Sequence, residues 1–207
     1  MNFNAVILAG GRSSRMGHDK AFIELAGQTL LARQIQLARS AGAMETFISG
    51  RSDTDYSAFD AQILTDKFPD AGPLAGIHAA LEATNSPLLL VLAVDMPGMT
   101  AEFLLKLASG CSENTGAVPR VTGNLEPLAA FYPKAALPLA ASLLGQNSLS
   151  VKNFAGRCQQ AGLVVFADHP DAAAGFFMNV NSPDDLRPPV SSPRVATASP
   201  TPPAPAR

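Results

Sequence analysis

"AVILAGGRSSRMGHDKAF" (residues 5–22) carries an apolar run straight into two glycines, then sets Arg12, Arg15 and Lys20 close behind them. The first half reads as a strand covered on both faces, because it shows no alternation of apolar and polar residues. The second half reads as a loop. Gly10, Gly11 and Gly17 let a backbone approach a ligand closely and turn N–H groups toward an anion. Arg15 can grip phosphate bidentately, and Lys20 offers a point charge. The stretch fits neither of two common phosphate-binding fingerprints. A P-loop requires Gly-Lys-Ser/Thr, whereas His18 follows Gly17. The Gly-x-Gly-x-x-Gly dinucleotide pattern cannot be placed on it either.

A second buried run, "PLLLVLAVD" (87–95), ends on Asp95 and is stopped by "MPG". A carboxylate at the mouth of a buried strand is costly unless it has a partner. A divalent cation is the natural one, since Mg²⁺ takes one or two carboxylates plus phosphate oxygens. A shorter strand, "QILTD" (62–66), also closes on an acid, Asp66, and "METFISG" (44–50) makes another. Between the strands lie helical stretches: 29–41 with a stripe of Leu30, Leu31, Ile35 and Ala38, 72–83 after a Gly-Pro loop, and a third capped by Thr100. "GAVPR" and "LEPLAAFY" flank the turn "VTGN". Helices near 135–144 and 150–158 and a late strand "LVVFA" complete the order. Strands alternating with helices predict an α/β fold, a single three-layer domain with a mostly parallel sheet. In such sheets ligands bind at the carboxyl ends of the strands, so Gly10, Gly11, Asp66 and Asp95 are expected to converge.

The composition agrees with one such domain. The chain has 207 residues, is 47% hydrophobic and 15% charged, and carries a net charge of −2. That balance argues against a broad nucleic-acid-binding surface. The two cysteines, Cys111 and Cys158, lack metal-ligand spacing and are expected to be reduced thiols of a cytoplasmic protein. The apolar runs are too short for a membrane span, and the start lacks the basic region of a secretory signal. The domain is expected over residues 1–187. Residues 188–207, rich in Pro, Ser, Thr and Ala, are expected to be a disordered tail.

"LAGGRSSRMGHDKAFIELAGQTLL" resembles the signature loop of the nucleotidyltransferases that act on the molybdenum cofactor, specifically the molybdenum cofactor guanylyltransferases. The later landmarks "ILTD", "GPLAGIHAAL", "LLVLAVDMP", "EPLAAFY" and "FFMNVNSPDDL" follow in the family's order, over about residues 4–187. Sugar nucleotidyltransferases have a longer loop ending in Pro-Lys, which is absent here. The resemblance implies a glycosyltransferase-A-like (Rossmann-like) nucleotidyltransferase fold. It also implies transfer of GMP from GTP to molybdenum–molybdopterin, giving the guanine dinucleotide cofactor and diphosphate. In that reading Leu8, Ala9, Gly10 and Gly11 line the guanine and phosphate site, Lys20 contacts the triphosphate and Asp66 the nucleotide. Asp95 binds Mg²⁺ and nucleotide, and Asn179 and Asn181 lie toward the pterin. Where family members carry an Asn after the second strand this chain reads "ISGRS" (48–52), so Ser49 is the nearest match. Guanine-specific members read Ala-Gly-Gly and cytosine-specific ones Ala-Ala-Gly, so "LAGG" points to GTP over CTP.

The chemistry needs no nucleophilic Ser or Cys. A phosphate of the acceptor attacks the α-phosphorus of GTP, so catalysis rests on positioning and charge neutralisation. Lys20 and Arg15 are the expected stabilisers of the leaving diphosphate. Expected partners are GTP, molybdenum–molybdopterin, and recipient molybdoenzymes or their chaperones. The competing readings are a cytidylyltransferase of the same fold and a non-catalytic cofactor carrier. Ser182, Pro183, Asp184 and Asp185 are sufficiently explained as a helix start. His78 fits a core or surface residue. Glu126 fits either a pterin-facing group or a strand-end structural one.

Overall fold

The computed structural model describes residues 1–10, 20–68 and 70–179. In chain order the elements are β1 (Phe3–Leu8), β2 (Glu24–Leu25), β3 (Gln28–Thr29), α1 (Leu30–Ser40), β4 (Thr46–Ser49), β5 (Gln62–Leu64), α2 (Pro73–Ala83), β6 (Leu88–Ala93) and α3 (Ala101–Ala108). They continue with β7 (Gly116–Val121), β8 (Asn124–Leu125), β9 (Ala129–Pro133), α4 (Leu137–Gly145), α5 (Val151–Gln160) and β10 (Val164–His169).

The main sheet has the order β5-β4-β1-β6-β9. Its first four strands are parallel and β9 runs antiparallel to β6. All six residues of β1 and of β6 are buried, as their apolar runs require of strands covered on both faces, and the one polar member, Asn4, donates to Glu45 and accepts from the Ser86 hydroxyl. The register Phe3↔Leu88 to Leu8↔Ala93 divides their side chains between two cores. Phe3, Ala5 and Ile7 pack with Leu88, Leu90 and Leu92 against α1 and α3. Val6, Leu8, Leu89 and Val91 face Leu74, Leu81, Leu143 and Phe154 of α2, α4 and α5. Helices on both faces of the sheet make the three-layer α/β domain expected from the sequence.

Local signals start the helices. The Thr29 hydroxyl accepts from the Ala32 N–H (3.2 Å), Thr100 does the same for Phe103 (3.2 Å), and Ser150 for Asn153 (3.3 Å). Gly72, at φ 67°, leads into α2 with Pro73 in its first turn. No helix among the described residues is long and apolar enough to cross a membrane.

One expectation needs correcting. "LEPLAAFY" is not one strand. It splits into β8, which pairs with β7, and β9, which pairs with β6. Pro127 has no N–H to give a ladder, and a turn closed by Ala129 N–H to the Glu126 carbonyl (3.2 Å) separates the pieces. The stretch before α1, for which the sequence pattern predicts no element, also carries structure. β2 and β3 form a hairpin around Ala26 and Gly27, both at positive φ. A second, three-stranded sheet of order β10-β7-β8 sits beside the first. β7 crosses β9 so closely that a Cβ at Gly116 would lie 2.0 Å from the Phe131 carbonyl oxygen.

The strand order places the candidate site. The chain moves outward from β1 to β4 and β5, then returns to add β6 on the other side of β1. Connections leave the sheet in opposite directions there, and the crevice outside those carboxyl ends is where such sheets bind ligands.

Candidate active site

Gly10 and Asp95 stand at that switch point. Beyond Leu8, the N–H groups of Ala9 and Gly10 both donate to the Ser49 carbonyl, at 2.8 and 3.1 Å, tying the exits of β1 and β4 together. On the other side Val94 N–H donates to the Leu8 carbonyl (3.2 Å) and Ala93 N–H to the Leu128 carbonyl (2.8 Å). The end of β6 is thus pinned between β1 and the turn after β8, which fixes where Asp95 emerges.

Lys20 opens a short 3₁₀ turn, Lys20–Phe22. Its Nζ lies 3.1 Å from Asp95 Oδ2, closing a gap of 75 residues in sequence, with the two side chains 25% and 20% exposed. A partly shielded ion pair at a strand exit is stronger than a solvated one, yet open enough for a polyanion to reach both partners. Two of the three residues expected to carry the chemistry therefore meet. The third, Arg15, lies outside the described residues, as do Gly11 and Asn181.

Gly10 is exposed at the mouth. A Cβ there would sit 3.7 Å from the Gly50 carbonyl carbon, an ordinary contact, and its φ is not positive. Nothing in the described fold requires glycine at that position. Gly76 on α2 is the opposite case: a Cβ would fall 2.2 Å from Ser49 Oγ and 2.9 Å from Leu8 Cδ2. The helix therefore sits directly on the end of β4. Ser49 is 5% exposed, with its hydroxyl covered by Gly76, and it faces the mouth through its carbonyl.

Asp66 follows β5, two strand spacings (roughly 10 Å) from β1 in the sheet. It is half-buried, its Oδ1 finds no hydrogen-bond partner among the described residues, and burial raises its pKa above the usual carboxylate value. In the strand order β5 and Asp66 stand on the opposite side of β1 from β6 and Asp95. Among the described residues no three His, Cys, Asp or Glu side chains gather closely enough to cage a metal. The donor set at Asp95 is one carboxylate, which suits a hard cation that completes its shell with substrate phosphate oxygens.

Asn179 is exposed and lines a cavity of about 250 Å³ together with Met96, Glu126, Leu128 and Lys152. Met96 directly follows Asp95, so this cavity adjoins the ion pair. Glu126 is partly buried, and that burial raises its pKa while the Lys152 charge works against the rise. Lys152 was missed by sequence reasoning. It lies in the first turn of α5, and only the folded chain sets that turn beside the Glu126 loop. His78 is buried on α2 and meets the Phe68 ring edge-on at 5.3 Å. Both thiols are free, and burial lifts Cys111 to about 11 and Cys158 to about 12, so neither is a nucleophile at neutral pH.

Residues 5–162 match the family described as the MobA-like NTP transferase domain. The chain belongs to that family. Across 182 residues it is 37% identical to a protein of Opitutus terrae named probable molybdenum cofactor guanylyltransferase, covering 86% of this chain and 90% of that one. The crystal structure of molybdopterin-guanine dinucleotide biosynthesis protein A from Archaeoglobus fulgidus superposes with a TM-score of 0.69 at 26% identity, covering 88% and 94% of the two chains. A 2-C-methyl-D-erythritol 4-phosphate cytidylyltransferase from Thermus thermophilus shares the fold at 22% identity, with a TM-score of 0.68 over 90% and 96%. In this MobA-like domain the Lys20–Asp95 pair sits where the sheet changes direction, and the cavity beside it opens toward the second sheet.

Proposed function

We propose that this MobA-like enzyme transfers GMP from GTP to molybdenum–molybdopterin, forming the guanine dinucleotide cofactor and diphosphate. The Lys20–Asp95 pair at the exits of β1 and β6 is the observation that carries the assignment to catalysis rather than passive carriage. A terminal phosphate oxygen of the acceptor attacks the α-phosphorus of GTP. The bond from the α-phosphorus to the bridging oxygen breaks, and diphosphate leaves. Both reactants are anions, so the chain's task is to align them and offset their charge. Lys20 turns from Asp95 to the triphosphate and, with Arg15, stabilises the leaving diphosphate. Asp95 would hold Mg²⁺ at the β6 exit, where the cation would supply charge neutralisation for the phosphates.

The base sits against Leu8, Ala9, Gly10 and Gly11, where Gly10, exposed and not required as glycine by the described residues, leaves room for a ring. The N–H groups of Ala9 and Gly10 are committed to Ser49, so the backbone at this edge offers carbonyl acceptors. Guanine presents paired donors, N1–H and the 2-amino group, which suit carbonyls. Cytosine has no such pair and would leave acceptors unpaired. Asp66 and the Ser49 carbonyl shape the far side of the nucleotide site, and Asn179 and Asn181 face the acceptor. What supports a cytoplasmic setting is the pair of free thiols, and recipient molybdoenzymes or their chaperones take the product. Incubating the protein with molybdenum–molybdopterin, Mg²⁺ and either GTP or CTP, and identifying the product by mass, tests the reading. The guanine dinucleotide form and diphosphate are expected; a cytosine product, or none, contradicts it.

A further inference from the structure

The cavity beside Asp95 holds a carboxylate with no assigned work. The Glu126 main chain is fully employed, its N–H donating to Pro119 and its carbonyl accepting from Ala129. Its side chain makes no hydrogen bond or ion pair with any described residue, although it is partly buried against the cavity wall. The floor is apolar, with Leu128 and Met96, and the rim carries Lys152 and Asn179. The volume, about 250 Å³, admits a flat bicyclic heterocycle. The wall is also joined rigidly to the reacting end, because the Leu128 carbonyl accepts from Ala93, two residues before Asp95.

From this geometry we infer that Glu126 selects the acceptor by its pterin ring, its two carboxylate oxygens accepting from the ring N3–H and the 2-amino group. The inference rests on the guanylyl-transfer reading above. A pterin edge presents two adjacent donors, and a carboxylate is the side chain that offers two adjacent acceptors at matching separation. The apolar floor receives the ring face. Lys152 lies toward the anionic remainder of the acceptor, whose phosphate must reach the Asp95 end. A partly desolvated carboxylate strengthens such hydrogen bonds, and burial costs it less once both oxygens are paired.

The test uses two fluorescent heterocycles, pterin and lumazine, which differ in that lumazine has an oxo group where pterin has the 2-amino group. Wild-type protein, titrated with each in the presence of GTP, is expected to prefer pterin by about tenfold or more. In Glu126→Gln the side chain offers one acceptor and one donor, which fits lumazine, and the preference is expected to reverse. A residue that merely supported the fold would weaken both ligands alike. In the transfer reaction Glu126→Ala should raise the acceptor KM about 10- to 100-fold, leave the GTP KM within about twofold, and be partly rescued by Glu126→Asp. An unchanged acceptor KM, an unchanged pterin-to-lumazine ratio in Glu126→Gln, or no pterin binding by wild type overturns the inference. Its failure is distinguishable from failure of the functional reading. Active transfer with indifferent Glu126 variants rejects the pterin contact alone. A clean reversal of preference without guanylyl transfer rejects the reaction and keeps the ring site.

Discussion

The half of the domain proposed to take the nucleotide and the half beside it are built on different principles. In the main sheet β5, β4, β1 and β6 run parallel, β1 and β6 are buried on both faces, and Gly10 and Asp95 stand just beyond their exits. From β7 onward the strands are partly antiparallel and divided between two sheets, and the side chains that line the cavity come from the residue after Asp95, β8 and the turn after it, the start of α5 and the stretch after β10. A rigid sheet edge suits a triphosphate, whose charges must be met at fixed points. An assembled cavity suits a ring system that can be recognised by one edge and two faces.

Substitutions can break that division. Asp95→Ala should produce the largest effect, a fall in turnover of about a thousandfold or more from one lost charge centre in the site. The melting temperature should stay close to wild type, since a partly exposed ion pair adds about 1 kcal/mol or less to stability. Wild-type turnover from a folded Asp95→Ala protein would remove the strand exit from the mechanism. Gly10→Ala comes next. It should raise the GTP KM about tenfold without altering thermal unfolding, because among the described residues an added Cβ meets only ordinary contacts with Ser49 and Gly50.

Gly76→Ala sharpens the contrast by failing in the opposite way. Alanine would gain about 1 kcal/mol in helix propensity, but its Cβ meets Ser49 Oγ at 2.2 Å in a packed layer. Such overpacking costs about 1–3 kcal/mol, so the net change should be a lower melting temperature, with GTP preference retained. A more stable Gly76→Ala protein would show that α2 can lift from the sheet. The smallest effect of a substitution belongs to Asp66. Burial raises its folded pKa, so the fold gains from the protonated form at low pH and loses that gain as pH rises through the folded value. Asp66→Asn should therefore melt a few degrees higher than wild type near pH 7, the gap closing as the pH falls below the ordinary carboxylate range. A gap that widens toward acid would reverse the assignment of the shift to burial. Removing residues 188–207 should leave turnover unchanged, and loss of activity on truncation would give the tail a role.

The sequence exposed the proposed nucleotide half far better than the other. β1 and β6 were legible because two-faced burial writes a largely apolar run. α1 was legible from its stripe of Leu30, Leu31, Ile35 and Ala38, and parallel topology predicted that Gly10 and Asp95 share the strand exits, whereas the reach of Lys20 back to Asp95 came only with the folded chain. The break in "LEPLAAFY" was readable in principle from Pro127. The fate of Ser49 was not, because the cover over its hydroxyl comes from Gly76, 27 residues away on a helix. Lys152 was equally hidden, since its place beside Glu126 depends on how α5 docks on the second sheet. Short strands and helix starts state their own local structure but not their neighbours.

The central claim is that the exits of β1 and β6 divide the work, with Lys20 serving charge and the Leu8–Gly11 backbone serving the base. Measuring kcat/KM for GTP and for CTP in wild type and in Lys20→Ala tests it directly. One lost charged contact in a shielded site should lower both values together by about two to three orders of magnitude, leaving their ratio nearly unchanged. A Lys20→Ala enzyme that keeps its rate but loses its preference for GTP would contradict the account.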